Sequence, residues 1–560
     1  MAGPGAASSR KQTPVTFLRR RSLLSPEVRT VPLLALSGLL STLSACDDDD
    51  PPVDPARVVT RSGPVRGTVT DEVRVFQGIP FAAPPVGDLR FRAPQPVAAW
   101  SEDRDATKPG NRCPQPPDAF GAPSNTEDCL FLNVVTPRAA SPRHRRPVMV
   151  WIHGGMGHVG AGSDHDTRRL AQVGDVVVVS FNYRLGMLGN LSHPGFERSG
   201  HFVLEDQQAA LRWVRDNIGA FGGDPGNVTL FGESAGATNV CKNIISPLSE
   251  GLFHRAIIQS GPCTLSWPEN GIFPGTPATG PSRSQAETEA GGVLDAKALG
   301  CTDADPVRAA ACLRHDVTIQ RFIDRVTSAT GLGGGYGLPI NPVANPVEGG
   351  QFNKVPVLIG NTRDESRLFV GLAFDGTENP VTPAMYEALT NSSFGAHGAA
   401  VRARYPLSAF RSPSEAWAAV LTDRVWACTT LKSARLFASH MPVHMFEFAD
   451  PHPVMSPEQP RPSGAWHGSD VAMLLWPVLK PVDEALFTPE QRALSDSMIR
   501  YWASFARTGS PNHAGAPEWP RYELSRPYTQ SLAPGAGGIG NVDFAAEHHC
   551  DFWLAPPFEQ

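Results

Sequence analysis

The feature that most constrains this chain is an apolar run, Val228-Thr229-Leu230-Phe231, that ends without a spacer in Gly232-Glu233-Ser234-Ala235-Gly236. A serine in a G-x-S-x-G frame is presented at the top of a sheet only where a strand passes into a helix within about one residue. That turn forces the serine into a backbone region most residues avoid. It also brings strand and helix so close that the residues two positions to either side must be small. Gly232 and Gly236 meet the requirement. The same turn aims the first backbone N–H of the helix, that of Ala235, at whatever group the hydroxyl attacks.

Other apolar, β-branched runs predict the sheet such a turn needs. Val148 to Ile152, Val176 to Phe181, Val228 to Phe231, Ala256 to Ile258 and Val355 to Ile359 each read as a strand buried on both faces. Between the second and third, Phe202 to Ile218 places Leu204, Leu211, Val214 and Ile218 at helical spacing. Buried strands separated by helices imply an α/β fold, with a large, mostly parallel central sheet and right-handed crossovers. Trp267 to Ser284 and Gly331 to Gly350 are irregular and read as loops at the mouth of a site.

An attacking serine creates negative charge on an oxygen, and each preorganised N–H aimed at it lowers the barrier by roughly 2.7–4 kcal/mol. Ala235 is one donor. The other source is expected in the turn after an earlier strand, and Val148-Met149-Val150-Trp151-Ile152-His153-Gly154-Gly155 supplies that pattern.

Composition excludes several classes. The chain has 560 residues, 41% of them hydrophobic, and a net charge of −6 without a sustained Lys/Arg stripe, so no nucleic-acid partner is expected. Beyond residue 46 no apolar run is long enough to span a bilayer. Residues 1–46 read as an export signal: Arg19-Arg20-Arg21 and Arg29 precede an apolar stretch from Val31 to Ala45. It ends in Leu43-Ser44-Ala45-Cys46, which resembles a bacterial lipobox with Cys46 as the lipidated residue. Arg20-Arg21-Ser22-Leu23-Leu24 also resembles a twin-arginine export motif. Residues 47–57 are acidic and Pro-rich and read as a tether, leaving 58–560 as one catalytic domain. The expected location is the bacterial cell envelope or the medium, with membrane contact only through the lipid. Nine cysteines less Cys46 leave eight, an even number suited to disulfides in an oxidising compartment. Cys113 with Cys129, and Cys301 with Cys312, are close enough in sequence to close small loops.

Further blocks carry a resemblance. Phe76-Gln77-Gly78-Ile79-Pro80-Phe81-Ala82-Ala83-Pro84-Pro85-Val86-Gly87, Glu127-Asp128-Cys129-Leu130-Phe131-Leu132-Asn133, Asn182-Tyr183-Arg184-Leu185-Gly186 and Phe221-Gly222-Gly223-Asp224-Pro225 are similar to blocks of the type-B carboxylesterase family, which includes the cholinesterases. The likeness runs from about Val58 to the C-terminus, and it implies an α/β-hydrolase fold and a Ser-His-Glu triad. Its acid matches Glu365 in Gly360-Asn361-Thr362-Arg363-Asp364-Glu365, with Asp364 the nearest rival. Its histidine matches His467 in Trp466-His467-Gly468-Ser469-Asp470, which composition alone could not have picked from sixteen histidines; His452 also follows a strand-like run. The chain order nucleophile, acid, base is that of α/β-hydrolases. The resemblance also pairs Cys113 with Cys129, Cys301 with Cys312 and Cys428 with Cys550, and it matches Arg90 and Glu127 to a structural salt bridge. Cys241 and Cys263 remain for a fourth bridge.

Two departures stand out. Where the family has a third glycine and a phenylalanine, this chain has Met156-Gly157, so the expected oxyanion donors are Gly155, Met156 and Ala235. The Cys113–Cys129 loop has no tryptophan, which argues against a cation–π site for a quaternary ammonium. The expected activity is hydrolysis of a small-molecule carboxylic ester through an acyl-enzyme, with no metal or organic cofactor. An amide or carbamate hydrolase is the runner-up, since it uses the same intermediate. A non-catalytic binding protein would be expected to lack one of the three residues. His548-His549-Cys550 offers a metal-like cluster, but the disulfide reading of Cys550 is preferred.

Overall fold

The computed structural model describes residues 54–558, apart from 118–120, 199, 272–273, 281–283, 331–348, 378, 455–463 and 478–483. The expected export signal, with Cys46, and most of the tether lie outside the described residues, as does most of the loop expected at 331–350.

Eleven strands form the main sheet. In chain order they are β1 (Thr68–Val69), β2 (Val73–Pro80), β3 (Phe131–Pro137), β4 (Arg146–Ile152), β5 (Val177–Phe181), β6 (Gly223–Glu233), β7 (Arg255–Gln259), β8 (Val357–Thr362), β9 (Val443–Phe448), β10 (Thr529–Leu532) and β11 (Ile539–Val542). Their spatial order is β11-β10-β9-β8-β7-β6-β4-β5-β3-β2-β1. Every pairing from β5 through β4 to β10 is parallel, and the two margins are antiparallel.

Alternation along each central strand explains why the sequence reads as unbroken apolar runs. Val148, Val150 and Ile152 of β4 join one core, with Val228 and Leu230 of β6, Ala256 and Ile258 of β7 and Val357 and Ile359 of β8. Met149, Trp151, Phe231, Ile257 and Leu358 point to the opposite core. Helices cover both faces. Helix Phe202–Asn217 contributes Val203, Leu211 and Val214 to the first core, and helix Pro489–Thr508 contributes Leu494, Met498, Ile499, Trp502 and Phe505 to the second.

Two expectations shift in detail. Leu204 is only half-buried; Val203 takes the inward position, because the helix turns its Glu205-Asp206-Gln207 side toward the protein. Asp206 is fully buried against Arg184, which donates from Nε at 2.8 Å and Nη2 at 2.7 Å. Such a buried fork satisfies both charges at once. The fifth run begins at Val357 rather than Val355. Pro356 has no N–H to offer the ladder, although its carbonyl still accepts from Ala256 N at 3.0 Å.

Four disulfides are formed: Cys113–Cys129, Cys241–Cys263, Cys301–Cys312 and Cys428–Cys550. They point to an exported protein. Arg90 grips Glu127 through Nε at 2.7 Å and Nη2 at 2.6 Å, and its Nη1 donates to the carbonyls of Arg314 and Val317. Beside Cys550, the His548 imidazole is held between Asp423 and Glu447, 2.6 Å from each. Burial opposes its charge, but the two carboxylates prevail and raise its pKa to about 10.

The strand-to-helix turn lies at the centre of the sheet, since β6 runs between β4 and β7. Ser234 has φ 57° and ψ −125°, and helix Ala235–Ile245 starts at the next residue. A Cβ on Gly236 would lie 2.1 Å from the Ile152 carbonyl oxygen, and one on Gly232 would lie 2.6 Å from the Gly236 carbonyl carbon. Both contacts are with backbone, so no rotamer change relieves them. Gly236→Ala is therefore expected to lose about 1–3 kcal/mol of stability or more. Gly540→Ala, whose Cβ meets nothing within 4 Å, should stay within about 0.5 kcal/mol of the parent. Urea unfolding of the two variants measures the difference.

Candidate active site

The site forms where the C-terminal ends of β4, β6, β7 and β8 converge. β4 and β6 are in parallel register with Ile152 opposite Gly232. The turn that continues β4 therefore arrives beside the turn that continues β6. A Cβ on Gly154 would stand 3.2 Å from Ser234 Cβ and 3.0 Å from a Glu233 carboxylate oxygen.

That second turn is held in place on several sides. The Gly155 carbonyl accepts from His158 N at 2.9 Å and Val159 N at 3.1 Å, and the Gly157 carbonyl accepts from Gly186 N at 2.7 Å. Behind it, burial keeps His153 neutral, with its pKa lowered to about 3. Its Nδ1 hydrogen-bonds the Gly154 carbonyl at 2.9 Å, and its ring stacks on Tyr183, whose hydroxyl donates to the His153 carbonyl. Gly155 has φ 96°, and a Cβ there would meet the Val159 carbonyl oxygen at 2.2 Å. Met156 has φ 54°. Among the described residues, the N–H groups of Gly155, Met156 and Ala235 have no partner within the chain. The structure thus leaves open the three donors expected from the sequence.

Glu365 is fully buried three residues beyond the end of β8. Its Oε1 accepts from Thr362 N at 2.9 Å and its Oε2 accepts from His467 Nδ1 at 2.5 Å. The rival Asp364 is engaged elsewhere: it accepts from Ala465 N at 3.0 Å and pairs with Arg367 at 2.9 Å. His452 is exposed and lies outside this arrangement. The bond through Nδ1 leaves His467 Nε2 on the side of the segment that holds Ser234, 3.2 Å from Glu233 Oε1.

Sequence reasoning missed several neighbours of the imidazole. Glu233 is buried; desolvation, followed by the charges of Asp470 and Glu365, raises its pKa, while His467 pulls it down. Asp470 is fully buried and accepts from Gln259 Nε2 at 2.7 Å, and Gln259 is in turn held by Trp502 Nε1 at 3.0 Å. Desolvation raises the Asp470 pKa to about 6. Burial disfavours charge on His467 too, but Glu233 and Glu365 outweigh it and its pKa is raised. An aromatic wall completes the surroundings. The Trp426 ring lies 4.5 Å and the Phe369 ring 5.0 Å from that of His467, and Trp267 meets both aromatics edge-on, at 5.3 and 5.7 Å. Trp267 opens one of the loops expected at the mouth. Trp426 had no signal beyond its bulk, because its place depends on a wide-turn helical segment, Thr422–Ala427, formed only in the tertiary fold.

The arrangement is suited to moving one proton between a hydroxyl and an imidazole while holding an anionic oxygen. Comparison with known proteins leads to the same chemistry. Residues 54–553 match the model of the carboxylesterase family. The para-nitrobenzyl esterase of Bacillus subtilis (strain 168) is 35% identical over 483 residues, covering 83% of this chain and 92% of that protein. The pyrethroid hydrolase Ces2e of Rattus norvegicus is 33% identical over 509 residues, covering 84% and 85%. A solved PNB esterase superposes with a TM-score of 0.70 at 31% identity, covering 89% of this chain and 100% of the other. The chain belongs to the carboxylesterase family and is a carboxylic-ester hydrolase with the α/β-hydrolase fold.

Proposed function

We propose that Ser234 is the nucleophile, His467 the general base and Glu365 the acid that orients it, with the N–H groups of Gly155, Met156 and Ala235 as the oxyanion donors. The observation that carries this reading is the 2.5 Å bond between Glu365 and His467 Nδ1 beside a serine held at φ 57°. The Ser234 hydroxyl attacks an ester carbonyl as His467 Nε2 takes its proton. Glu365 fixes the tautomer and offsets the charge of the imidazolium. The tetrahedral oxygen sits among the three donors. His467 then protonates the departing alcohol, leaving an acyl-enzyme that water cleaves by the same steps. The whole site belongs to a single catalytic domain spanning 58–560.

The export reading accompanies it. Four disulfides and the run Leu43-Ser44-Ala45-Cys46 support a lipid-anchored protein of the bacterial envelope, with Cys46 as the anchor.

Three outcomes are expected. Ser234→Ala should lower kcat for a para-nitrophenyl ester by at least about 10³-fold with an unchanged unfolding midpoint; full turnover would refute the mechanism. The second concerns pH. The imidazole must be neutral to accept the serine proton, so turnover falls as pH drops through its pKa. Glu233 raises that pKa, so Glu233→Gln should move the acidic limb of kcat/KM to lower pH. A limb that stays in place would remove Glu233 from this role. The third is Cys46→Ser, which should release the protein from the membrane fraction and change its gel mobility.

A further inference from the structure

The segment that supplies Trp426 also holds a cation the mechanism does not use. Arg424 lies two positions earlier in Thr422–Ala427 and is only 6% exposed. Among the described residues its guanidinium makes one hydrogen bond, from Nη1 to Ser266 Oγ at 3.2 Å, and no carboxylate pairs with it. Burial pulls its pKa down and no neighbouring charge raises it again. Other buried arginines are compensated. Arg184 has Asp206 and Arg90 has Glu127, while Arg74 donates to the carbonyls of Ala140 and Phe221. The residues flanking Arg424 also have partners: Thr422 Oγ1 accepts from Ser366 N, and Asp423 holds His548 and the Tyr405 hydroxyl. Among the described residues, Arg424 Nε and Nη2 make no hydrogen bond.

The position connects this cation to the site. Arg424 is tied to Ser266, and Ser266 precedes Trp267 in the aromatic wall. Both segments that fix the guanidinium therefore contribute to the aromatic wall beside His467. A guanidinium cannot shed its proton to escape burial, so leaving it unpaired is costly unless a ligand supplies the anion. It does not serve to neutralise Glu233, whose balance is set by burial, His467, Asp470 and Glu365. Those carboxylates would repel an anionic substrate unless a cation stood near, whereas a neutral substrate leaves the guanidinium unpaired. Discrimination then runs in both directions.

We propose that Arg424 determines specificity by receiving a second, ionised carboxylate on the ester substrate, through the planar fork that guanidinium and carboxylate share. The substrate class is an ester bearing a free carboxylate some bonds away from the scissile carbonyl. That carboxylate belongs either to the acyl part, as in a dicarboxylic half-ester, or to the alcohol part. The inference rests on the assignment of Ser234 as the ester-cleaving nucleophile.

The test uses the full protein and two matched pairs of esters: para-nitrophenyl hemiglutarate with para-nitrophenyl valerate, and the butyrate ester of 4-hydroxybenzoate with phenyl butyrate. In the parent protein, one of the anionic esters is expected to be cleaved at a kcat/KM no lower than that of its neutral partner, and which pair does so identifies the side that carries the carboxylate. Arg424→Gln should lower the anionic-to-neutral ratio for that pair on the order of 10- to 100-fold, mainly through KM. Arg424→Lys, which keeps the charge without the fork, should fall between. A ratio unchanged by both substitutions would overturn the proposal, as would a parent protein that rejects both anionic esters while cleaving the neutral ones. The parent's own preference decides the matter even if Arg424→Gln fails to fold. A parent that cleaves none of the four esters would overturn the hydrolase reading of Ser234 and this proposal with it.

Discussion

The close approach of helix Ala235–Ile245 to the end of β4 is the constraint on which the rest of the site depends. Gly236 leaves no room for a Cβ against the Ile152 carbonyl. This contact fixes three things at once: the helix axis, and with it the direction of the Ala235 N–H; the strained backbone of Ser234; and the distance to the turn that continues β4. The N–H groups proposed as oxyanion donors then come from two separate backbone segments, and no side chain has to supply them. Preorganisation of this kind costs nothing at the moment of reaction, because the strain is borne by the sheet and the helix packing.

Around that backbone frame the side chains pose an electrostatic problem. Glu365, Glu233 and Asp470 are all buried near a single imidazole. Among the described residues only Glu365 hydrogen-bonds the ring, and its other oxygen is occupied by the Thr362 N–H. Asp470 is held off by Gln259, which leaves Glu233 as the carboxylate on the Nε2 side of the ring. Burial alone would make His467 a weak base, and the three carboxylates alone would keep it protonated. The aromatic wall of Trp426 and Phe369 strengthens the first tendency and the acidic cluster the second. A base that must gain a proton and lose it again in each half of a cycle requires that kind of balance.

How much of this was legible in the sequence follows from how local each signal is. Most central strands read clearly because both faces are buried and their runs are largely apolar, whereas β9 is interrupted by His444 and Glu447 and did not. Marginal strands such as β10 and β11 did not stand out, since no such run distinguishes them. The Ser234 turn and the glycine turn were legible from residue type alone, because their backbone demands exclude most side chains. Glu365 and His467 became legible only through family likeness: both are polar residues in loops that any surface loop could contain. Glu233 stood next to the nucleophile in plain view, but nothing in the sequence says that its carboxylate is buried or faces an imidazole. Trp426 and Arg424 were silent because their surroundings are made by segments far apart in the chain. The leader fell outside the described residues and stays a reading of sequence.

Met156 turns this comparison into an argument about strain. A glycine at its position would adopt φ 54° freely, whereas a methionine there bears a penalty on the order of 1–3 kcal/mol. The turn nevertheless keeps its shape, because both ends are fixed independently of residue 156. The Gly155 carbonyl is bound by two N–H groups on one side, and the Gly157 carbonyl is bound by Gly186 on the other. Between these anchors the Met156 N–H has no partner among the described residues. The loss of the glycine therefore need not cost the donor. It adds a partly exposed side chain to the wall of the site, and a bulky group tolerated at a strained position next to the reacting atoms is a feature through which selectivity can be tuned without disturbing the chemistry.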